Sequence, residues 1–127
     1  MRFLIDTHTF LWIINDSQQL SQLARSTVES DVDLWLSLGS LWEIAIKVGV
    51  KKLSLPEPLS DFLDQQLKHN EIDVLVPTTK HFETVSNLPL HHRDPFDRLI
   101  VAQAMTEGIP VISVDTALDF YDIQRLW

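Results

Sequence analysis

Residues 94–115 read DPFDRLIVAQAMTEGIPVISVD, and the order of signals inside this stretch decides the fold. Asp94 has the place of a helix N-cap, Pro95 the first helical position and Asp97 an acid in the first turn, ahead of the apolar run LIVAQAM. Gly108 stops that helix. Pro110 to Val114 (PVISV) is then an apolar strand that delivers Asp115.

The same alternation runs outward to the N-terminus. Arg2 to Asp6 is a short strand ending in an acid, and Phe10, Leu11, Ile13 and Ile14 recur with the spacing of a helix directly after it. Ser21 is placed to cap a second helix through Ser30, and Asp33 to Ser37 is the next strand. Ser40 opens the helical stretch SLWEIAIKV, with Glu43 four residues before Lys47 and Gly49 as its stop. After the proline-marked loop KKLSLPEP, a helix is expected over Leu59–His69 and a strand over Asp73–Val76, closed by Pro77. Thr79 caps a helix over Lys80–Ser86, and a last strand lies near Ile123–Leu126. Strands alternating with helices predict an α/β fold with a central, mostly parallel sheet covered on both faces. Such sheets bind ligands at the carboxyl ends of their strands, where Asp6 and Asp115 fall.

The chain has 127 residues, 45% of them hydrophobic, which suits a single domain over residues 1–127 with one core. There are no cysteines, so disulfides and thiolate chemistry are excluded. The apolar start is interrupted by Asp6 and His8 and is too short to span a bilayer, so a cytoplasmic protein with no membrane association is expected. Eighteen acids against ten bases argue against coating nucleic acid by bulk charge. They allow acids gathered around a hard cation, which inverts the local charge.

No Walker loop, GxGxxG, HExxH or GxSxG motif is present. The five histidines make no ligand pattern, and His91 and His92, being adjacent, point apart on an extended loop. What remains is a set of acids abutting apolar segments: Asp6, Glu43, Asp94, Asp97 and Asp115. Each has a plain structural reading. Asp6, Asp94 and Asp97 suit helix starts, Asp115 a turn, and Glu43 an ion pair with Lys47. Glu43, however, sits among Leu41, Trp42, Ile44, Ala45, Ile46 and Val48, where a carboxylate needs a reason. Carboxylates gathered together repel unless a cation such as Mg²⁺ or Mn²⁺ joins them, the usual apparatus for displacement at phosphorus.

The runs FLIDTH, LWEIAIK and HHRDPFDRLIVAQA, with the apolar strand ending in Asp115, resemble PIN-domain proteins, and more narrowly the VapC-type toxins of VapBC toxin–antitoxin pairs. The resemblance runs end to end, through the closing RLW. It implies a three-layer α/β/α sandwich and a Mg²⁺- or Mn²⁺-dependent endoribonuclease. The family's four catalytic, metal-holding acids fall on Asp6, Glu43, Asp97 and Asp115. Thr7 follows the first acid as a supporting side chain, and Asp94, His92 and Arg93 lie within the family's motif. Arg93, Arg98, Lys47, His92 and the pair Lys51–Lys52 are the candidates for RNA contact, with Arg98 alternatively held in an ion pair. Ser113-Val114 stand where relatives often carry a polar or basic residue.

The resemblance also implies a cognate antitoxin whose tail covers the active-site face. Four tryptophans in so short a chain, and apolar candidates Phe10, Leu11, Trp12 and Trp35, predict a homodimer. Competing readings are a nuclease acting on DNA or in RNA processing, a non-catalytic binding module, and a receiver-like phospho-acceptor domain. The last needs an acidic pair after the first strand, and only Asp6 with Thr7 and His8 is there.

Overall fold

The computed structural model describes residues 1–127. In chain order the elements are β1 (Arg2–Ile5), α1 (Thr7–Ile14), α2 (Gln22–Val28), β2 (Asp33–Ser37), α3 (Leu38–Gly49), α4 (Leu59–His69) and β3 (Ile72–Leu75). They continue with α5 (Thr79–Asn87), α6 (Pro95–Glu107), β4 (Val111–Ile112), a 3₁₀ helix (Thr116–Phe120) and β5 (Arg125–Leu126). All five strands are parallel, in the order β3-β2-β1-β4-β5. The chain therefore winds outward from β1 to β3, then returns to build β4 and β5 on the other side. The order reverses between β1 and β4, and the crevice beyond their carboxyl ends is where such sheets hold ligands.

Alternation along β1 sorts the core into two layers. Phe3 and Ile5 join Leu34, Leu36 and Ile72 of the neighbouring strands in one cluster with Phe10, Ala24, Ile44, Phe62 and Leu63 of α1 to α4. Leu4, on the opposite face, joins Val111 and Ile100, Val101 and Ala104 of α6. The result is the expected α/β/α sandwich around a central parallel sheet. No helix is long and apolar enough to cross a membrane.

Helix starts follow side-chain caps, and two expected helix starts move for that reason. Ser37, the last residue of β2, turns its hydroxyl onto the Gly39 amide at 3.2 Å, so α3 starts at Leu38 rather than at Ser40. Thr78, not Thr79, caps α5: its hydroxyl accepts from His81 N–H, while His81 Nδ1 accepts from Thr78 N–H. Strand β3 begins and ends one residue early, leaving Val76 exposed. Ser21, Asp94 and Gly108 cap as expected, Gly108 in the left-handed conformation (φ 65°) that a residue without Cβ adopts freely.

The apolar surface lies elsewhere than expected. Phe10 is wholly buried, and Leu11, Trp12 and Trp35 are half-buried, because all four pack on the sheet's two clusters. Trp42 on α3 is the exposed tryptophan, 64% accessible, with its ring edge-on to Phe96 at 5.4 Å.

Candidate metal centre

The chain turns sharply into a helix after β1, and Asp6 makes that turn. Its Oδ1 accepts from Thr9 N–H at 2.9 Å and so caps α1. Its Oδ2 accepts from the Ser113 hydroxyl at 2.5 Å. Ser113, just past β4, also takes the Asp115 N–H at 3.0 Å. One buried hydroxyl thus links two acids 109 positions apart in the chain. Asp115 caps the 3₁₀ helix through Oδ1 on Ala117 N–H. The capping reading of Asp6 holds, the turn expected at Asp115 is a 3₁₀ helix that it caps, and both side chains point into the crevice between β1 and β4.

Glu43 comes from the second turn of α3 and is 8% accessible. Thr7 Oγ1 donates to its Oε1 at 2.6 Å and lies 2.9 Å from Ser40 Oγ, while Lys47 Nζ is 3.0 Å from Oε2. The ion pair with Lys47 forms, but on a carboxylate that burial and Thr7 already hold in place. Close approach of α3 to α6 allows this geometry: a Cβ on Gly39 would meet Leu99 Cδ2 at 3.0 Å. Asp97, in the first turn of α6, faces the same space.

Burial pushes the Asp97 carboxyl up to about 7; Asp94, Asp6 and Glu43 add to the rise and His92 opposes it. Burial is the largest cause, and the three carboxylates acting on Asp97 from other positions place it within one acidic group. His92 Nε2 lies 3.1 Å from Asp97 Oδ2 and 2.9 Å from Asp115 Oδ2, so the last acid joins the same group. The four expected acids, from four separate elements, therefore stand around one crevice. Asp94 contributes differently. Its Oδ1 caps α6 on Phe96 N–H, and its charge acts on Asp97 from that position.

The basic candidates divide. Arg93 is exposed and shares with Lys47 and Lys52 a cleft of about 480 Å³ that opens beside Glu43 and Asp94. Arg98 makes no ion pair, contrary to expectation, and its guanidinium is already engaged within the chain. Its guanidinium donates to the carbonyls of Val85, Leu88, Pro89 and His92 and to Tyr121 Oη, which fastens the loop before α6. His91 and His92 do point apart, His91 against Phe120 and Tyr121 and His92 against the acids. Sequence reasoning missed Ser113, Ser40 and Tyr121. The signal for the two serines was a small hydroxyl beside an acid-bearing element, and Tyr121 carried none.

Fold and site together define a class. The PIN domain profile matches residues 3–126, and the chain belongs to that family. Among relatives, it is 28% identical over 116 residues to Ribonuclease VapC22 of Mycobacterium tuberculosis, covering 91% of this chain and 88% of that protein. Its fold matches VapBC2 from Rickettsia felis bound to a promoter DNA fragment, with a TM-score of 0.74, 15% identity and coverage of 99% and 98%. It also matches VapBC-1 from nontypeable Haemophilus influenzae, with a TM-score of 0.68, 14% identity and coverage of 99% and 97%.

The donor set suits a hard divalent cation. Carboxylate oxygens are the ligands Mg²⁺ and Mn²⁺ prefer, and the raised Asp97 carboxyl marks the charge such an ion would neutralise. Asp6, Glu43, Asp97 and Asp115 are the residues that would hold it.

Proposed function

We propose that the chain is a Mg²⁺- or Mn²⁺-dependent endoribonuclease, the toxin of a type II toxin–antitoxin pair. The observation that carries this reading is the gathering of Asp6, Glu43, Asp97 and Asp115 at the strand-order reversal, where Asp97, raised to about 7 chiefly by burial, also feels the charges of Asp94, Asp6 and Glu43. Asp6, Glu43, Asp97 and Asp115 would hold a divalent cation there, and it would supply Lewis-acid polarisation of a phosphodiester and a more acidic water. The chain's own residues do the positioning. Ser113 and the α1 amides fix Asp6, Thr7 fixes Glu43, and Lys52 and Arg93 offer charge to the phosphates of an RNA strand entering the adjoining cleft. The relative named a ribonuclease and the neighbours named as VapBC complexes support an RNA substrate and a cognate antitoxin.

A homodimer is part of the proposal, acting in the cytoplasm. Trp42 and Phe82 are exposed around an apolar groove completed by Val85, Pro95, Phe96 and Leu99, a surface suited to a second copy. The test is incubation of the purified chain with total RNA, with Mg²⁺ or with EDTA, followed by mapping of the cut ends. Cleavage is expected only with the ion, and Asp6→Asn is expected to lose it while keeping the fold. Undiminished cleavage in EDTA refutes the mechanism.

A further inference from the structure

We propose that His92 is a positioning residue that sets Asp115 beside Asp97: its Nε2–H donates to Asp115 Oδ2, and the same nitrogen lies against Asp97 Oδ2. The inference rests on reading those two acids as cation ligands. They belong to different elements, the first turn of α6 and the start of the 3₁₀ helix beyond β4. Asp97, unlike Asp6 and Asp115, caps no helix with its own carboxylate, since Asp94 does that for α6. His92 Nε2 spans the gap, 3.1 Å from Asp97 Oδ2 and 2.9 Å from Asp115 Oδ2.

The ring is held for this task from the other side. Asp94 N–H donates to His92 Nδ1 at 3.1 Å, His92 N–H donates to Tyr121 Oη at 2.9 Å, and the His92 carbonyl accepts from Arg98. Tyr121 in turn donates to the Pro89 carbonyl at 2.9 Å, so the loop is anchored at both ends. Because Nδ1 accepts, the proton of the neutral ring is assigned to Nε2, the atom facing the acids. Three ligand-type atoms thus lie within 4.8 Å of one another, but Nε2 offers Asp115 a proton instead of offering an ion a lone pair. His92 acts through the acids and is not itself a ligand. The Asp115 oxygen that accepts from His92 keeps a second lone pair for an ion, and the Asp97 oxygen stays beside it with its lone pairs free of His92.

Two variants separate the donor from the loop. Asn at 92 keeps an acceptor near Nδ1 for the Asp94 amide but falls short of the acids; Gln places an N–H near the position of Nε2. Mn²⁺ binding to the full chain, read from the spectrum of the free ion, is expected to weaken about tenfold or more in His92→Asn and less than about threefold in His92→Gln. An Asn variant within threefold of wild type, or tighter, overturns the proposal, as does a Gln variant that loses as much as Asn. Imidazole ¹⁵N spectra of the wild type in saturating Mg²⁺ require no substitution. Nε2 is expected to stay protonated, and a deprotonated, ligating Nε2 overturns the proposal. Wild-type protein that binds no Mn²⁺ at all overturns the metal reading itself, an outcome distinct from equal binding by wild type and Asn variant.

Discussion

Replacing Asp97 by Asn in ion-free protein should stabilise the fold, by an amount that depends on pH. The Asp97 carboxyl is raised from the ordinary value of 3.8 to about 7, chiefly by burial and by Asp94. Between those two values the folded chain keeps a proton that the unfolded chain has released. Wild-type stability therefore falls as pH rises through that window, by about 1.4 kcal/mol per pH unit. Across the whole window this sums to a ceiling of about 4 kcal/mol, and partial solvation of the side chain reduces it to roughly 2–3 kcal/mol. Asn cannot ionise, so it escapes the loss. Melting curves in EDTA are expected to coincide near pH 3.5 and to separate by about 10 °C near pH 8, at roughly 3–5 °C per kcal/mol. Mn²⁺ a thousandfold above its dissociation constant should reverse the order, since it adds about 4.1 kcal/mol to the wild type alone. A gap of equal size at both pH values, or an Asn variant less stable than wild type near pH 8 in EDTA, would refute the reasoning.

Arg98→Ala should destabilise by about 2–3 kcal/mol, because four loop carbonyls lose their charged donor; a urea midpoint unchanged from wild type would contradict this. Trp42→Asp should leave the fold intact but convert a dimer to monomer, since it charges the centre of the exposed apolar groove; light scattering at tens of micromolar reads the outcome. A cognate antitoxin should present an Arg or Lys to Asp6, Glu43 and Asp97 in place of the ion, so added Mg²⁺ and added salt should each weaken inhibition. Inhibition insensitive to both, and unaffected by Ala at that basic residue, would favour simple coverage of the RNA path.

The amino-acid sequence alone determined the order and type of the elements and singled out the acids that the fold gathers. Those features are written locally: the cap at Asp94, the proline after it, Gly108, the apolar run before Asp115. Local backbone preference and burial period are properties of neighbours in the chain, and neighbours are what a sequence displays. Even the misplaced helix starts at Ser40 and Thr79 are choices between adjacent hydroxyls, settled by which one reaches an amide.

The tertiary structure decided what those acids meet. The strand order sets β4 against β1, and only that pairing brings Ser113 to Asp6 across 107 positions. Arg98 looked free for a phosphate until the loop of residues 85–92 folded its carbonyls around it. His92 looked like one of an unpatterned set until the return of the chain put Asp115 beside α6. Likewise Phe10 vanishes into the core and Trp35 packs half-buried against it while Trp42 stays out, because which face of each element meets the sheet depends on its partners. Contacts between distant segments carry no local period, so no pattern along the chain announces them; they exist only once the sheet has fixed which ends lie together.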